Sequence, residues 1–352
     1  MAPTAVETTA VDSLKARLAS AALQEVDLRA FPHFDNTPGI GTEFRAGGLQ
    51  ISDVLIDRAK LAALARLVSE RGVVFFREAD ISPEEQKELV QALGEAGGKP
   101  ATSKLHVHPL TLPGQVDGDE ISIISNKFVF GDKFKQSDGD IRNRRLGKDQ
   151  WHTDITFENV PSDYASLVIH TLPAVGGDTL WASAYEAYDR LSAPLQTFLE
   201  GLTAEHSGES FLRLNAAHGG NPVREPRGAP ENVGQDLLAT HPVIRTNPVT
   251  GWKGLFVNKA FTTRIVELTR PESDALLGFL FEHVSANHDI QVRFRWEENS
   301  LAIWDNRSTF HAATADLDGV LREGTRSVSL GERPFFDPSS RSRREDLASK
   351  AN

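Results

Sequence analysis

Short segments with the residue pattern of β-strands recur from about residue 150 onward, and they constrain the fold more than any other feature. In residues 290–296, apolar Val292 and Phe294 alternate with charged Arg293 and Arg295, which is typical of a half-buried strand. Further strands are predicted at 72–77, 105–109, 121–125, 150–157, 165–170, 178–182, 241–246, 254–258, 300–304 and 326–331. This pattern predicts a mainly β fold.

Helices are predicted to flank these strands. Residues 57–71 carry leucines at helical spacing, and a capping box at Ser82 begins a second helix that is predicted to end at Gly94. The sequence contains no internal repeat and no linker that would separate two hydrophobic cores. We therefore predict one domain, residues 25–336, with helices packed outside a β core.

Four segments are predicted to lie outside this pattern of strands and helices. Residues 1–24 are predicted to be a flexible N-terminal tail, and residues 337–352 a solvated C-terminal tail. Residues 206–240 are rich in Gly and Pro and are interpreted as an insertion over the strands. Residues 126–148 form a polar segment with seven Lys and Arg side chains, which predicts a long loop; loops of this length often have a function.

The composition argues against several classes of protein. The 352 residues include no cysteine, so the chain has no disulfide and no thiolate ligand. A formal charge of −11 argues against nucleic acid as the main partner. No run approaches the ~18 apolar residues of a membrane helix, and residues 1–9 lack the pattern of a secretory signal. These features predict a cytoplasmic protein that binds neither nucleic acid nor membrane.

Two histidines and an aspartate are candidate metal ligands. His152 and Asp154 are two positions apart, which on a strand places both side chains on one face. His311, far along the chain, would complete two imidazoles and one carboxylate, a set that suits non-haem Fe(II) and leaves positions open. An isolated His-x-Asp pair is ordinarily a hydrogen-bonded surface pair, so the hypothesis needs a second observation.

Two arginines supply that observation. Arg322 and Arg326 follow His311 and are four positions apart, so on one strand they would share a face. A guanidinium group pairs readily with a carboxylate or a sulfonate. A metal site beside an anion-binding site explains these residues better than unrelated surface positions do.

With these residues in place, the sequence resembles the iron(II)- and 2-oxoglutarate-dependent dioxygenases of the taurine dioxygenase type. The resemblance extends from about Gly72 to Pro334. It is carried by motifs in order: Leu105-His-Val-His-Pro109, Trp151-His-Thr-Asp-Ile-Thr-Phe157, Gly176-Gly-Asp-Thr-Leu-Trp181, His241-Pro-Val-Ile-Arg245, Phe256-Val-Asn258 with Phe261-Thr-Thr-Arg264, and Trp304-Asp-Asn-Arg307 with His311, Arg322 and Arg326.

The resemblance implies a double-stranded β-helix, the cupin-like jelly roll, with Fe(II) held by His152, Asp154 and His311. It implies that Thr179 and Arg322 bind the distal carboxylate of 2-oxoglutarate, which is consumed together with O₂. The implied reaction hydroxylates a small anionic substrate, such as an alkyl sulfonate, an alkyl sulfate or taurine. Succinate and CO₂ would be released, with sulfite or sulfate for such substrates.

The resemblance also implies the residues that contact the substrate. His108 and Arg326 would face its anionic end, and Phe211 and Phe261 would form apolar walls. From the residues alone, both phenylalanines are read equally well as ordinary core.

Two departures from the family pattern bear on the substrate. Thr111 stands where taurine enzymes have a tyrosine, and the 126–148 loop is longer than in bacterial relatives, with Lys148 close to His152. A cation there would disfavour the ammonium group of taurine and favour a plain alkyl sulfonate, an alkyl sulfate or another anion. A solvated basic loop without a role explains Lys148 as well. That residues 126–148 cover the substrate as a lid is a hypothesis.

Two other functions remain open at this point. His106 and His108 form a second i, i+2 pair of the kind found in zinc hydrolases, which would need neither O₂ nor an oxoacid. A jelly-roll protein that binds a ligand without turnover is the other alternative. The sequence leaves a homo-oligomer open.

Overall fold

The computed structural model describes residues 26–110, 120–126, 147–217, 219–317 and 320–351. The predicted tail at 1–24, Thr111 and residues 127–146 of the predicted loop lie outside these described residues.

The helices follow the predicted start signals. The sequence Ser82-Pro-Glu-Glu85 forms a capping box, in which the Glu85 amide donates to Ser82 Oγ at 3.3 Å and the Ser82 amide donates to Glu85 Oε2 at 2.8 Å. In the described residues the helices are α1 (Ile51–Leu55), α2 (Arg58–Arg71), α3 (Pro83–Ala96), α4 (Ala184–Asp189), α5 (Ala193–Leu199), α6 (Glu209–Ala217), α7 (Arg270–Ser285) and α8 (Arg343–Ala351).

The strands are short, as their spacing in the sequence predicts. They are β1 (His33–Asp35), β2 (Thr42–Phe44), β3 (Val73–Phe76), β4 (Ile121–Ser125), β5 (Ser162–Thr171), β6 (Thr179–Ser183), β7 (Thr203–Ser207), β8 (Leu238–Pro242), β9 (Ile244–Thr246), β10 (Lys253–Leu255), β11 (Thr262–Ile265), β12 (Gln291–Phe294), β13 (Ser300–Asp305), β14 (Thr309–Ala313) and β15 (Glu323–Leu330).

The strands form one large sheet and several small ones. The large sheet has the order β1-β2-β3-β13-β5-β15-β4, and a three-stranded sheet has the order β12-β6-β14. Two further small sheets have the orders β11-β7-β8 and β10-β9. The described pairings are antiparallel except for β2 with β3. Some neighbours are consecutive in sequence, such as β1 with β2 and β9 with β10. Others, such as β3 with β13 and β6 with β12, come from distant parts of the chain.

An aromatic core joins the large sheet to the β12-β6-β14 sheet. Phe75 of β3 stacks on Phe294 of β12 with ring centroids 4.1 Å apart, and its centroid is 5.3 Å from that of Trp181 on β6. Trp304 of β13 lies 5.8 Å from Trp181 by the same measure. Burial of such large apolar surfaces is the dominant favourable contribution to folding. The helices α2 and α3 cover the other face of the large sheet, which has its own apolar cluster.

Three local predictions are wrong. In the strand predicted at 105–109, only Leu105 pairs, through an isolated bridge with Ser329. Residues 150–157 are not a strand: His152 forms an isolated bridge with His311, and residues 154–157 turn. Helix α3 continues past Gly94 to Ala96. A Cβ at Gly94 would lie 2.6 Å from Lys99 Cδ and 2.7 Å from Asp163 Oδ2, so this glycine is required by close packing and does not mark a helix end.

The two segments interpreted as an insertion and a tail contain regular structure. Residues 206–240 include the end of β7, helix α6 and the start of β8. The C-terminal segment contains α8, whose residues are not buried, and Arg341 pairs with Trp252 in an isolated bridge. The Trp252 indole N–H donates to Asp346 Oδ2 at 2.8 Å, which ties α8 to the domain.

Within the described ranges, no helix combines the length and apolar character needed to cross a lipid bilayer.

Candidate metal centre

Backbone pairing brings the two distant histidines side by side. His152 and His311 exchange both backbone hydrogen bonds, at 3.0 and 2.8 Å, and their ring centroids are 4.1 Å apart. His311 lies on β14, which pairs with β6 in the small sheet. The sequence predicted that these residues meet, and the isolated bridge is the contact that achieves it.

Asp154 is oriented by residues that the sequence analysis did not single out. Its amide donates to Asn306 Oδ1 at 3.2 Å, and the neighbouring Thr153 hydroxyl donates to the Thr309 carbonyl at 2.9 Å. Asp154 Oδ1 then lies 3.9 Å from His152 Nε2 and 3.8 Å from His311 Nε2. Asn306 belongs to the motif Trp304-Asp-Asn-Arg307, but the sequence alone does not show that it contacts Asp154.

The donor set fits a divalent metal ion. Ligand atoms of His152, Asp154 and His311 all lie within 4.8 Å of one another, and this is the one such group of three among the described residues. Asp154 Oδ2 is buried and has no hydrogen-bond partner within the described structure. The Gln150 carbonyl lies 2.8 Å from His152 Nδ1, so a proton on Nδ1 leaves the Nε2 lone pair free for a metal.

The protonation states also suit metal binding. Burial lowers the pKa of His311 to about 3, and His152 adds to this effect, so the His311 ring is neutral at physiological pH. Burial alone would raise the pKa of Asp154, but Arg326 and the neighbouring imidazoles hold it below its usual value. Neutral imidazoles and an ionised carboxylate are the forms that coordinate metals.

Arg326 lies directly beside this group. Its NH1 donates to Asp154 Oδ1 at 2.8 Å, while its buried Nε has no hydrogen-bond partner in the part of the chain described. One N–H group of the guanidinium is therefore bonded to the carboxylate, and the Nε–H is available for an anion.

Arg322 and Thr179 form a second polar contact nearby. Arg322 Nε donates to the Gly177 carbonyl at 2.7 Å and its NH2 to Thr179 Oγ1 at 3.2 Å. The Trp296 indole N–H also donates to Thr179 Oγ1, at 3.0 Å. Burial lowers the pKa of Arg322 to about 10, partly offset by Asp178, so the group stays cationic. Arg322 lies immediately before β15, and Arg326 lies on it.

Aromatic side chains line the other side of the site. The Phe211 ring on α6 contacts His108, Phe157 and Phe261, with centroids 5.1, 5.7 and 6.1 Å away, and the Phe261 centroid lies 6.2 Å from that of His152. The structure thus brings both predicted wall residues together with His108. These rings also belong to the hydrophobic core, as the alternative interpretation expected.

Lys148 and His106 are the remaining residues that the sequence singled out. Lys148 lies on an exposed 3₁₀ turn, Gly147–Asp149, just before the metal-binding segment. His106 does not form a second metal group with His108: its Nε2 lies 3.5 Å from Glu158 Oε1, and the two histidine ring centroids are 6.3 Å apart. Glu158 is paired with Arg227 at 2.5 and 2.9 Å. The geometry therefore gives no support to a zinc hydrolase at this pair.

Comparison with known proteins identifies the class. The family model described as "Taurine catabolism dioxygenase TauD, TfdA family" matches residues 33–328. The chain is 45% identical over 335 residues to the alpha-ketoglutarate-dependent dioxygenase btcD of Neocamarosporium betae, covering 90% of this chain and 96% of that protein. It is 36% identical over 302 residues to the alpha-ketoglutarate-dependent sulfonate dioxygenase of Saccharomyces cerevisiae, covering 86% of this chain and 67% of that protein.

A solved structure agrees with these relatives. The crystal structure of a taurine dioxygenase from Burkholderia xenovorans superimposes with a TM-score of 0.64 and 29% identity, covering 88% of this chain and 94% of that one. The fold is the jelly roll of such enzymes, with helices outside, so the predicted fold class is confirmed. The chain belongs to the TauD/TfdA family and is a 2-oxoglutarate-dependent dioxygenase that uses Fe(II) and O₂. This confirms the predicted enzyme class.

Proposed function

We propose that this dioxygenase holds Fe(II) through His152, Asp154 and His311 and hydroxylates a small organic anion, an alkyl sulfonate or alkyl sulfate. The observation that carries the proposal is the contact between Arg326 and Asp154, at 2.8 Å. It puts a cation next to the metal ligands, and its buried Nε–H has no hydrogen-bond partner among the described residues. The anionic end of a substrate bound there would lie close to the reacting centre.

In this proposal, Arg322 and Thr179 bind the distal carboxylate of 2-oxoglutarate. Arg322 is buried and remains charged, and Thr179 Oγ1 fixes the orientation of its guanidinium group. A buried cation of this kind is favourable only when it has an anionic or polar partner, which the carboxylate supplies. When bound, iron with 2-oxoglutarate and O₂ supplies the oxidising chemistry that yields succinate, CO₂ and a hydroxylated substrate.

The protein residues orient the substrate and exclude water. Arg326 and His108 hold the anionic end, while Phe211 and Phe261 pack against the carbon chain and restrict access of water. Burial, with a contribution from His106, lowers the pKa of His108 to about 4, so its ring is neutral and acts as a hydrogen-bonding group. If the hydroxylated carbon bears a sulfonate or sulfate, the product collapses to an aldehyde and releases sulfite or sulfate.

Several features favour a substrate without an ammonium group. Lys148 lies four positions before His152 in the sequence, and its positive charge would repel the amine of taurine at the entrance to the site. Glu158, the buried carboxylate close to His106, is already paired with Arg227 through both oxygens. The yeast relative is named as a sulfonate dioxygenase, which agrees with an anionic substrate.

Propane-1-sulfonate and taurine test the proposal, because the two differ mainly by a methyl group in place of the ammonium group. Oxygen uptake and sulfite release should give a higher kcat/KM for propane-1-sulfonate. Preference for taurine would contradict the argument about the amine. Absence of turnover with sulfonates and alkyl sulfates of several chain lengths would contradict the proposed substrate class.

A further inference from the structure

The turn that follows Asp154 has an unfavourable backbone conformation. Residues 155–158 form a turn closed by a 3.0 Å hydrogen bond from the Glu158 amide to the Ile155 carbonyl. Ile155 has a φ of 51°, a left-handed conformation that is rare for a β-branched residue. Such a conformation persists only where the surroundings enforce it, and it lies directly after a residue of the metal group.

One buried histidine contacts two residues of this turn. His241 Nε2 lies 2.9 Å from the Thr156 carbonyl and 3.0 Å from the Glu158 carbonyl, so its N–H is shared between two acceptors. The side chain is 1% exposed. Burial, followed by the effect of Arg245, lowers the pKa of His241 to about 3, which keeps the ring neutral.

The Thr156 side chain is fixed as well. Its Oγ1 lies 2.9 Å from His206 Nδ1 and 3.1 Å from Asn258 Nδ2, and all of these groups are buried. We call His206, His241 and Asn258, together with Thr156, the Thr156 cluster. On the other side of Asp154, Asn306 accepts a hydrogen bond from the Asp154 amide. The aspartate is therefore held from both directions along the chain.

We propose that the Thr156 cluster, with His241 as its main contact, positions Asp154 for metal binding. The cluster acts through the backbone of the 155–158 turn and does not touch the metal. Without the His241 N–H, the turn would relax toward a more favourable conformation, and the Asp154 carboxylate would rotate away from His152 and His311. This inference rests on the proposed role of Asp154 as a metal ligand.

The first test is Co(II) titration of the metal-free protein, in which binding is measured by calorimetry and by the visible absorption of the bound ion. His241→Phe keeps a ring of similar size and removes the N–H. We expect Co(II) affinity to fall about ten-fold or more, as for other residues that orient metal ligands. His283→Phe is the matched control, because His283 Nε2 donates to the Ala187 carbonyl at 2.8 Å, away from the metal group. Its Co(II) affinity should equal that of the unaltered protein.

An unchanged Co(II) affinity in folded His241→Phe would overturn the proposal. If the unaltered protein does not bind Co(II), the metal site itself is wrong, and the role of the cluster falls with it. If His241→Phe does not fold, Thr156→Val is tested instead. This variant keeps a side chain of similar shape and removes the hydroxyl bonded to His206 and Asn258. Thr197→Val, which removes a hydroxyl bonded to the Ala193 carbonyl on α5, is its control. Weaker Co(II) binding by Thr156→Val alone supports the proposal, and equal binding by both variants contradicts it.

Discussion

Arg326 NH1 donates a 2.8 Å hydrogen bond to Asp154 Oδ1, the oxygen that also faces His152 and His311. The arginine is therefore in direct contact with the metal group. A cation in this position lowers the pKa of Asp154 and keeps the carboxylate ionised. In the proposed function it also binds the anionic end of the substrate, so one residue would link metal binding to substrate binding.

Asp154→Ala should abolish metal binding. The carboxylate is the only anionic member of the metal group of three found in the described residues, and without it two neutral imidazoles remain. Replacing a residue that only hydrogen-bonds to a metal ligand lowers metal affinity by about 10–100-fold. We expect the fall in Co(II) affinity of Asp154→Ala to be larger than this. Calorimetric titration of Asp154→Ala against Asp149→Ala, an exposed control nearby, provides the measurement. Comparable affinity in the two variants would show that Asp154 is not a ligand.

Arg322→Ala and Arg326→Ala should each raise a different Michaelis constant. In Arg322→Ala, 2-oxoglutarate should bind with a KM raised by about 30-fold or more, since truncating a buried charged partner costs about 2–5 kcal/mol. Loss of Arg326 should raise mainly the KM for the sulfonate. Steady-state kinetics with each compound varied in turn give both values. The reverse ordering would show that the roles of the two arginines are exchanged.

Thr179→Val should weaken 2-oxoglutarate binding moderately. The Thr179 hydroxyl oxygen accepts hydrogen bonds from both Arg322 and the Trp296 indole, so the valine leaves two buried donors without this acceptor. A buried donor without its acceptor costs about 1–3 kcal/mol. Part of this loss should appear as a higher KM for 2-oxoglutarate and part as a lower melting temperature. Thr171→Val, at the partly exposed end of β5, is the control. An unchanged KM for the oxoacid in Thr179→Val would contradict the assignment.

The metal-free protein should lose stability in mild acid. His241 and His311 have pKa values of about 3 in the folded state, far below the value of about 6.5 in an unfolded chain. Below about pH 6.5, the unfolded chain binds protons that the folded chain does not, so the free energy of unfolding decreases as the pH falls. Between about pH 6.5 and about pH 5 the loss is about 2 kcal/mol for each of these two histidines.

Thermal melting at about pH 7 and about pH 5 checks this effect. His241→Phe should show a smaller decrease in melting temperature over this interval, because one of the buried histidines with a lowered pKa is absent. Equal melting temperatures at the two pH values would mean that these histidines are not buried in the neutral form.

Local signals in the sequence predicted local structure well. The capping box at Ser82 and the alternating residues 291–294 correspond to the start of α3 and to β12. The wrong end assigned at Gly94 shows the limit of such signals. A glycine can also be required by close packing, here against Lys99 and Asp163, and the contact with Asp163 depends on a residue distant in sequence.

The site could be predicted in its residue types but not in its geometry. His152, Asp154 and His311 were identified by a motif, and the structure brings them together. In the expected strand at 150–157, only His152 pairs and residues 154–157 turn, with the Asp154 amide bonded to the Asn306 side chain. The Thr156 cluster could not be foreseen at all. Its hydrogen bonds connect residues 50 to 102 positions apart, and no periodicity in the sequence encodes such pairs.

Anaerobic addition of Fe(II) and 2-oxoglutarate to the metal-free protein tests the central claim most directly. The His152, Asp154 and His311 group, with Arg322 nearby, should bind both components, and a weak visible charge-transfer band of the iron–oxoacid chelate should appear. Asp154→Ala should give no band under the same conditions. Absence of the band in the unaltered protein, or the same band in Asp154→Ala, would contradict the proposed site.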